Sequence, residues 1–299
     1  MRPDHVLIAI LASYNRRALT LRALERFFVA ADAGGLNARA VLFDDGSADG
    51  TADAVEGQFG ARTEVLRGDG SKFWAASMQA SEARAIALAK ELDARRYTLF
   101  WLNDDVDADA DALVRLLKVQ SDNPDRILVG STRDPESGEV TYGGMRRSGA
   151  HPLAFALVEP ATDPEPVDAM NGNVVLVPDT VVAALGGLDG GFSHALADID
   201  LATRAARAGV PALLAPGTYG TCARNPEPHY RSASEAWRGF TGVKGGGNPR
   251  STARILRRLA PIAWPFWWSA TYAKWCMRAG SRFGAARPAA LGAPSEDRA

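Results

Sequence analysis

Short apolar runs rich in Val, Ile and Leu alternate with longer helical stretches along most of this chain, and that alternation restricts the fold more than any other feature. The runs VLIAIL (6–11), AVLF (40–43), TEVLR (63–67), YTLFWL (97–102), RILVGS (126–131), VVLVP (174–178) and ALLAP (212–216) read as strands. Between them ALTLRALERFFVAA (18–31), TADAVEGQF (51–59), WAASMQASEARAIALAKEL (74–92), DALVRLLK (111–118), PDTVVAALGG (178–187) and ALADIDLATRAARAG (195–209) read as helices. Gly209 closes the last of these as a C-cap does. Apolar strands alternating with helices predict an α/β fold: a mostly parallel, Rossmann-like sheet covered on both faces.

At 299 residues, 46% hydrophobic and 23% charged, the chain has material for one large core. Its two cysteines, Cys222 and Cys276, make no disulfide framework and suit a reducing compartment, so a cytoplasmic location is expected. The first apolar run is short and leads into SYNRR, which is not the pattern of a signal peptide. No uncharged apolar stretch reaches the roughly 18 residues of a membrane span.

From Pro226 onward Pro, Gly and Arg accumulate, as in KGGGNPRS (244–251), so a boundary is expected near residue 225. This divides the chain into a catalytic-type α/β unit, 1–225, and a helical extension, 226–299, with a disordered end from about residue 284. Residues 231–299 carry 12 Lys/Arg against 3 Asp/Glu, while residues 1–230 carry 22 against 32. A basic, Trp-rich tail on an acidic body meets either an anionic surface or the body itself. APIAWPFWWSATYAKWCMRAG (260–280) has the Trp, Tyr and flanking Arg/Lys of a segment lying on a membrane surface; Pro261, Pro265 and Lys274 oppose a spanning helix. Packing of the same Trp residues on the body is the alternative.

In open parallel sheets ligands bind beyond the carboxyl ends of the strands. Three strand ends here are polar: Ser13-Tyr14-Asn15, Asp44-Asp45 and Asn103-Asp104-Asp105. Two side-by-side carboxylates after a buried WL repel unless a cation joins them, which is how Mg²⁺ or Mn²⁺ is held when substrate phosphates complete the shell. Alternatively, Asp105 and Asp107 merely cap the helix near residue 111. The stretch FDDGSADGT (43–51) also fits a calcium-loop spacing, with Asp45, Ser47, Asp49, Asp53 and Glu56 as ligands. A strand, however, enters it where a helix should, so Asp49 or Thr51 is expected to cap a helix instead. Farther on, His194 and Asp198 are four apart and share a helical face, as do Asp200 and Arg204, the latter reading as an ion pair.

Taken together, ASYNR (12–16), DDGSADGT (44–51), RGDGSKFWAASM (67–78), WLNDDV (101–106), MNGNVVLVP (170–178) and GGLDGGF…ADIDLATRAARAG (186–209) resemble the family 2 glycosyltransferases. These are inverting enzymes of GT-A fold, and the rhamnosyltransferase-like bacterial members are the most similar. The resemblance implies a nucleotide diphosphate sugar donor, dTDP- or UDP-linked and dTDP-rhamnose among the candidates. It also implies a glycan or lipid-linked acceptor in surface polysaccharide synthesis. Asp44 would take the imide of the base, with Ser13 and Arg67 nearby; Tyr14, Asn15, Asp45, Asp69, Asp104, Asn171 and Gly172 would complete the donor site. Asp105 with Asp104 would hold Mg²⁺ or Mn²⁺, Asp198 would be the general base, and His194 would orient it or the acceptor. Where the family has Glu before that Asp, this chain has Ala197; where a His follows, it has Cys222, with His229 close behind. Two other readings stand beside this one: a sugar nucleotidyltransferase, and a non-catalytic nucleotide-sugar-binding subunit of a membrane assembly.

Overall fold

The structure, a computed structural model, describes residues 4–226 and 228–284. The expected disordered end therefore falls, beyond Gly284, outside the described residues. In the first half β1 (His5–Ser13), α1 (Arg17–Ala33), β2 (Ala38–Asp44), α2 (Thr51–Phe59), β3 (Thr63–Arg67), α3 (Phe73–Glu91) and β4 (Arg96–Leu102) alternate as anticipated. There follow β5 (Asp107–Ala108), α4 (Ala112–Asp122), β6 (Leu128–Arg133), β7 (Val140–Tyr142), β8 (Gly144–Arg147), β9 (Phe155–Leu157), β10 (Glu165–Pro166) and β11 (Ala169–Met170). The body closes with β12 (Val174–Pro178), α5 (Asp179–Leu185), α6 (Ala197–Arg207) and β13 (Leu213–Thr221), and the extension is α7 (Ala233–Thr241), α8 (Pro249–Leu259) and α9 (Trp264–Gly284).

The main sheet has the order β10-β13-β6-β12-β4-β1-β2-β3. Strands β4, β1, β2 and β3 are mutually parallel, and β6 is parallel to β13. Strand β12 runs antiparallel to both neighbours, with Val174 opposite Leu102. Its beginning, not its end, therefore lies beside the carboxyl end of β4.

Alternation along β1 explains why every residue of VLIAIL is apolar. Val6, Ile8 and Ile10 join one core with α3, α5, α6 and α8, while Leu7, Ala9 and Leu11 join the other with α1, α2 and α4. Burying each of the Val, Ile and Leu side chains among them stabilises the fold by about 1.5–3 kcal/mol. The small strands β7 to β11 escaped the sequence reading because two to four residues carry no periodic signal.

The extension packs on the body through ionic and aromatic contacts. Arg254 and Arg258 of α8 reach Asp189, and Arg258 also reaches Asp200, which is paired with Arg204 at 2.8 Å as expected. Trp264, Trp267 and Trp268 lie against the α3–α6 core. Phe266 and Met277 face outward, 65% and 70% exposed. No helix among the described residues is long and apolar enough to cross a membrane.

Candidate active site

The three polar strand ends meet, but their side chains divide the work differently from the expectation. Asp44 is the last residue of β2 and is buried; its carboxylate accepts from the backbone N–H of Ser47 at 2.9 Å and of Ala52 at 3.0 Å. Both oxygens therefore serve the turn and the first turn of α2, with Asp49 accepting from Thr51 N–H alongside. Thus Asp44 is a structural cap and does not face the cavity. Asp45, one residue on, points the other way. It accepts from the N–H groups of Gly70, Lys72 and Phe73 at 2.8–3.2 Å, and it lines the cavity. Those bonds hold the β3–α3 loop, at whose end Phe73 has a left-handed φ of 55°.

Asn15 also turns from ligand candidate to tie. In a left-handed conformation, it receives Ala48 N–H on its side-chain oxygen and gives its own N–H to Ser47 Oγ, both at 2.8 Å. Asp49 accepts from Arg17 N–H at 3.0 Å, so the β2–α2 loop starts α1. Arg67 is exposed and bound to Asp53 and Glu56, and exposed Asp69 accepts from Ser71; neither lines the cavity. The acids of the calcium spacing are thereby committed elsewhere: Asp45 and Asp49 to backbone N–H groups, Asp53 and Glu56 to Arg67. No group of three or more potential metal-binding side chains occurs among the described residues.

A cavity of about 320 Å³ lies at the carboxyl ends of β1, β2 and β4. Ser13, Tyr14, Asp45, Asp104, Asp105 and His194, all read from the sequence, line it. Asn103, part of the third polar strand end, lines it as well, and so do Arg16, Trp74, Asn225 and Lys244, which were not foreseen. Arg16 stands beside the polar end of β1 in SYNRR, a signal that was available. Lys244 comes from the loop between α7 and α8, so the extension supplies part of the wall and the boundary near 225 runs through the site's own lining.

Arg16 Nη1 donates to Asp104 at 3.0 Å and to Asp105 at 2.8 Å. Burial pushes the Asp104 carboxyl up to about 6, against the pull of Arg16. Asp107 pairs with Arg22 and Arg26 of α1 and so does not cap α4. Cys222 lies 3.6 Å from Asp105; burial first, then that carboxylate, pushes its thiol up to about 12, so it stays protonated. His229 is exposed and does not line the cavity.

The reversed β12 delivers Asn171 and Gly172 to the site's flank. Asn103 N–H bonds to Asn173 carbonyl at 3.0 Å, joining the two loops. A Cβ on Gly172 would stand 2.8 Å from the Trp74 ring, which packs over it and donates to Asn103 at 3.0 Å. Asn171 ties its loop to Gly143 and does not line the cavity. Asp198, in the first turn of α6, accepts from Gly172 N–H at 3.1 Å and Ile199 N–H at 2.9 Å. Burial raises it to about 6. His194 is not on the same helix face, because α6 begins only at Ala197 after the left-handed Leu196. Its Nδ1 accepts from Trp74 N–H at 3.4 Å, which leaves the proton on Nε2. Burial, then Lys244 and Arg16, lower its pKa, so the ring is neutral near pH 7.

No family model and no curated protein matches the chain. Solved structures do. A mannosyltransferase from Pyrobaculum calidifontis, PcManGT, solved with GDP-Man and Mn²⁺, superposes with TM-score 0.55 at 17% identity, over 97% of this chain and 77% of that one. S. aureus TarS with UDP-GlcNAc superposes with TM-score 0.56 at 11% identity, over 85% of this chain and 65% of that one. The chain has the GT-A fold. Within a GT-A sheet, the cavity at the ends of β1, β2 and β4 occupies the position that ligands take in open α/β sheets. The chain spans just under two thirds of that TarS structure.

Proposed function

We propose that this protein is an inverting glycosyltransferase that moves a sugar from a nucleoside diphosphate to a hydroxyl of a glycan or lipid-linked acceptor. The observation that carries the reading is one cavity in which Arg16 and Lys244 face the acids Asp45, Asp104 and Asp105 beside a neutral His194. Cations suit a diphosphate, and acids suit the base and sugar hydroxyls. Two proteins of this fold, the mannosyltransferase and TarS, are solved with nucleotide sugars. The motif pattern favours a dTDP- or UDP-sugar, dTDP-rhamnose among them, and a role in bacterial surface polysaccharide synthesis.

The donor set fits a hard divalent cation: two adjacent oxygen ligands beside a cavity that would take the phosphates completing the shell. Asp104 and Asp105 would hold Mg²⁺ or Mn²⁺, which when bound offsets the charge of the departing diphosphate. Protonated Cys222 lies outside that set. Arg16 pre-pairs the two acids, and Lys244 supplies a second positive charge from the extension. His194 presents Nε2–H as a neutral donor. Asp198, raised toward neutrality, is the base: it takes the hydroxyl proton as the acceptor oxygen bonds to the anomeric carbon and the bond to the diphosphate breaks. Configuration inverts, and no covalent intermediate forms.

A thermal-shift panel of UDP, dTDP and GDP, with and without Mn²⁺ or Mg²⁺, tests the donor site. One nucleotide should stabilise the protein more with metal present; silence from all three sinks the reading. With a donor sugar, nucleoside diphosphate should be released, and pyrophosphate instead would mark a nucleotidyltransferase. Because both Asp198 oxygens are held by backbone N–H groups, a binding-only subunit is the second reading. Acceptor glycosylation by the whole membrane assembly that is unchanged by Asp198→Ala would favour it, and lost turnover with donor binding intact would sink it.

We also propose that the 226–299 extension brings the cytoplasmic 1–225 unit to the inner face of the membrane. Phe266 and Met277 lie eleven residues, about three turns, apart and so share an exposed face. Co-sedimentation with phosphatidylglycerol vesicles should be lost in a Phe266→Asp/Met277→Asp double variant, and binding that survives it would contradict the proposal.

A further inference from the structure

A second cavity, of about 610 Å³, opens within the extension and shares Lys244 with the first. Tyr230, Phe240 and Trp275 line it, with Lys244 and Arg278 as the charged groups among the described residues of its lining. Its aromatic wall is built in depth. Phe240 stacks on Trp275 at 5.7 Å, and Trp237 meets Trp275 edge-on at 4.9 Å. The run Gly245-Gly246-Gly247 lets the chain wrap this wall. A Cβ on Gly247 would stand 2.1 Å from the Phe240 ring, and one on Gly245 would stand 2.0 Å from the Phe240 carbonyl oxygen. Gly239 accepts the Tyr230 ring the same way, with the hydroxyl 2.1 Å from where a Cβ would be. Only glycine at these positions allows Lys244 to be carried from the aromatic wall into the wall of the strand-end cavity.

Flat aromatic faces beside the two cations Lys244 and Arg278 form a specific chemistry. Aromatic side chains pack against the apolar face of a ring, and their polar edges tolerate hydroxyls. Arg and Lys in the same lining select phosphate oxygens. A volume of this order takes a sugar or two. We propose that this cavity is the acceptor subsite, and that its ligand is a sugar ring bearing a phosphate or diphosphate. The sugar stacks on Trp275 and Tyr230, the phosphate lies at Arg278, and the shared Lys244 marks the passage toward the donor. This rests on the glycosyltransferase reading for its meaning, though not for the binding chemistry itself. Two sources supply such a ligand: a soluble sugar phosphate and a glycan linked to a lipid through diphosphate.

Calorimetry on the full chain tests the site with glucose, galactose, mannose and N-acetylglucosamine 1-phosphates, the free sugars, and inorganic phosphate. At least one sugar phosphate should bind about tenfold more tightly than its sugar or phosphate alone. Trp275→Ala and Arg278→Gln should each lose about tenfold of that affinity while Trp275→Phe retains most of it. The nucleotide that stabilises the wild type should stabilise all three variants equally. A vesicle arm offers the same sugar on undecaprenyl diphosphate in phosphatidylcholine. Binding confined to vesicles and lost in Trp275→Ala assigns the lipid-linked source, and equal binding of both forms assigns the soluble one. If no probe binds, or if the variants bind as the wild type does, the proposal is overturned. A wild type that ignores every nucleotide would instead overturn the glycosyltransferase reading and leave the sugar-phosphate result to stand or fall alone.

Discussion

One guanidinium nitrogen of Arg16 bridges Asp104, at 3.0 Å, and Asp105, at 2.8 Å. A fixed cation thus already answers the repulsion between two adjacent carboxylates, and a metal ion entering the site competes with it. Arg16→Gln should bind Mn²⁺ about tenfold more tightly in the absence of nucleotide, since no internal charge then neutralises the pair. The same variant should bind nucleoside diphosphate more weakly when metal is withheld. Titration of Mn²⁺ by electron paramagnetic resonance checks the first, and weaker Mn²⁺ binding than wild type would contradict it.

Asp198 and Asp104 both have native pKa values pushed by burial to about 6, from 3.8. Between those values the native state binds more protons than the unfolded chain, so their contribution to stability falls as pH rises from about 4 to about 6. Asp198→Asn should therefore be more stable relative to wild type at pH 7 than at pH 4, by on the order of 2 kcal/mol. Denaturant melts at the two pH values measure this. Turnover runs the opposite way: kcat/KM should fall below about pH 6 as the base protonates.

Gly172 supports the indole of Trp74, where a Cβ would stand at 2.8 Å. Gly172→Ala should destabilise the fold by about 1–3 kcal/mol and displace Trp74 from Asn103. Nucleotide affinity should fall with it, because Trp74 and Asn103 both line the cavity. A variant with wild-type melting and wild-type nucleotide affinity would show that the indole is free to move.

Asp44 and Asp45 are neighbours with separate tasks, and substitution should separate them. Asp44→Asn weakens two buried N–H bonds and should cost about 1–3 kcal/mol of stability with nucleotide affinity preserved. Asp45→Asn should lower nucleotide affinity about tenfold, through the cavity wall and the loop it holds. Equal effects on both measurements would erase the distinction.

The sequence made the strands legible because buried strands are apolar on both faces, and β3 and β12 were bounded as found. It did not reveal that β12 is reversed, since direction leaves no trace in a short apolar run. Nor could it tell Asp44 from Asp45 as cap and cavity wall, because the outcome depends on where the pleat ends and which N–H groups are unpaired nearby. Arg67 was claimed by Asp53 and Glu56 on the adjoining helix, a pairing visible only once α2 lies beside β3. Lys244 lay in a glycine run that marked only the change of composition beyond Pro226. Its role required the aromatic wall around which that run folds.

The reversal of β12 also sets which parts of the chain build the cavity. The loop leading into β12 is anchored by sheet bonds ahead of it and by β11 pairing with β8 behind it. Lys244 arrives on a glycine run of the extension, held by Gly245 N–H to Gly242 carbonyl and Gly247 N–H to Phe240 carbonyl, both at 3.0 Å. The cavity therefore has a floor made by the sheet and a share of wall made by the extension. Substitutions of Gly245 or Gly247, packed around Phe240, are expected to reach nucleotide affinity while the strand ends stay as they are.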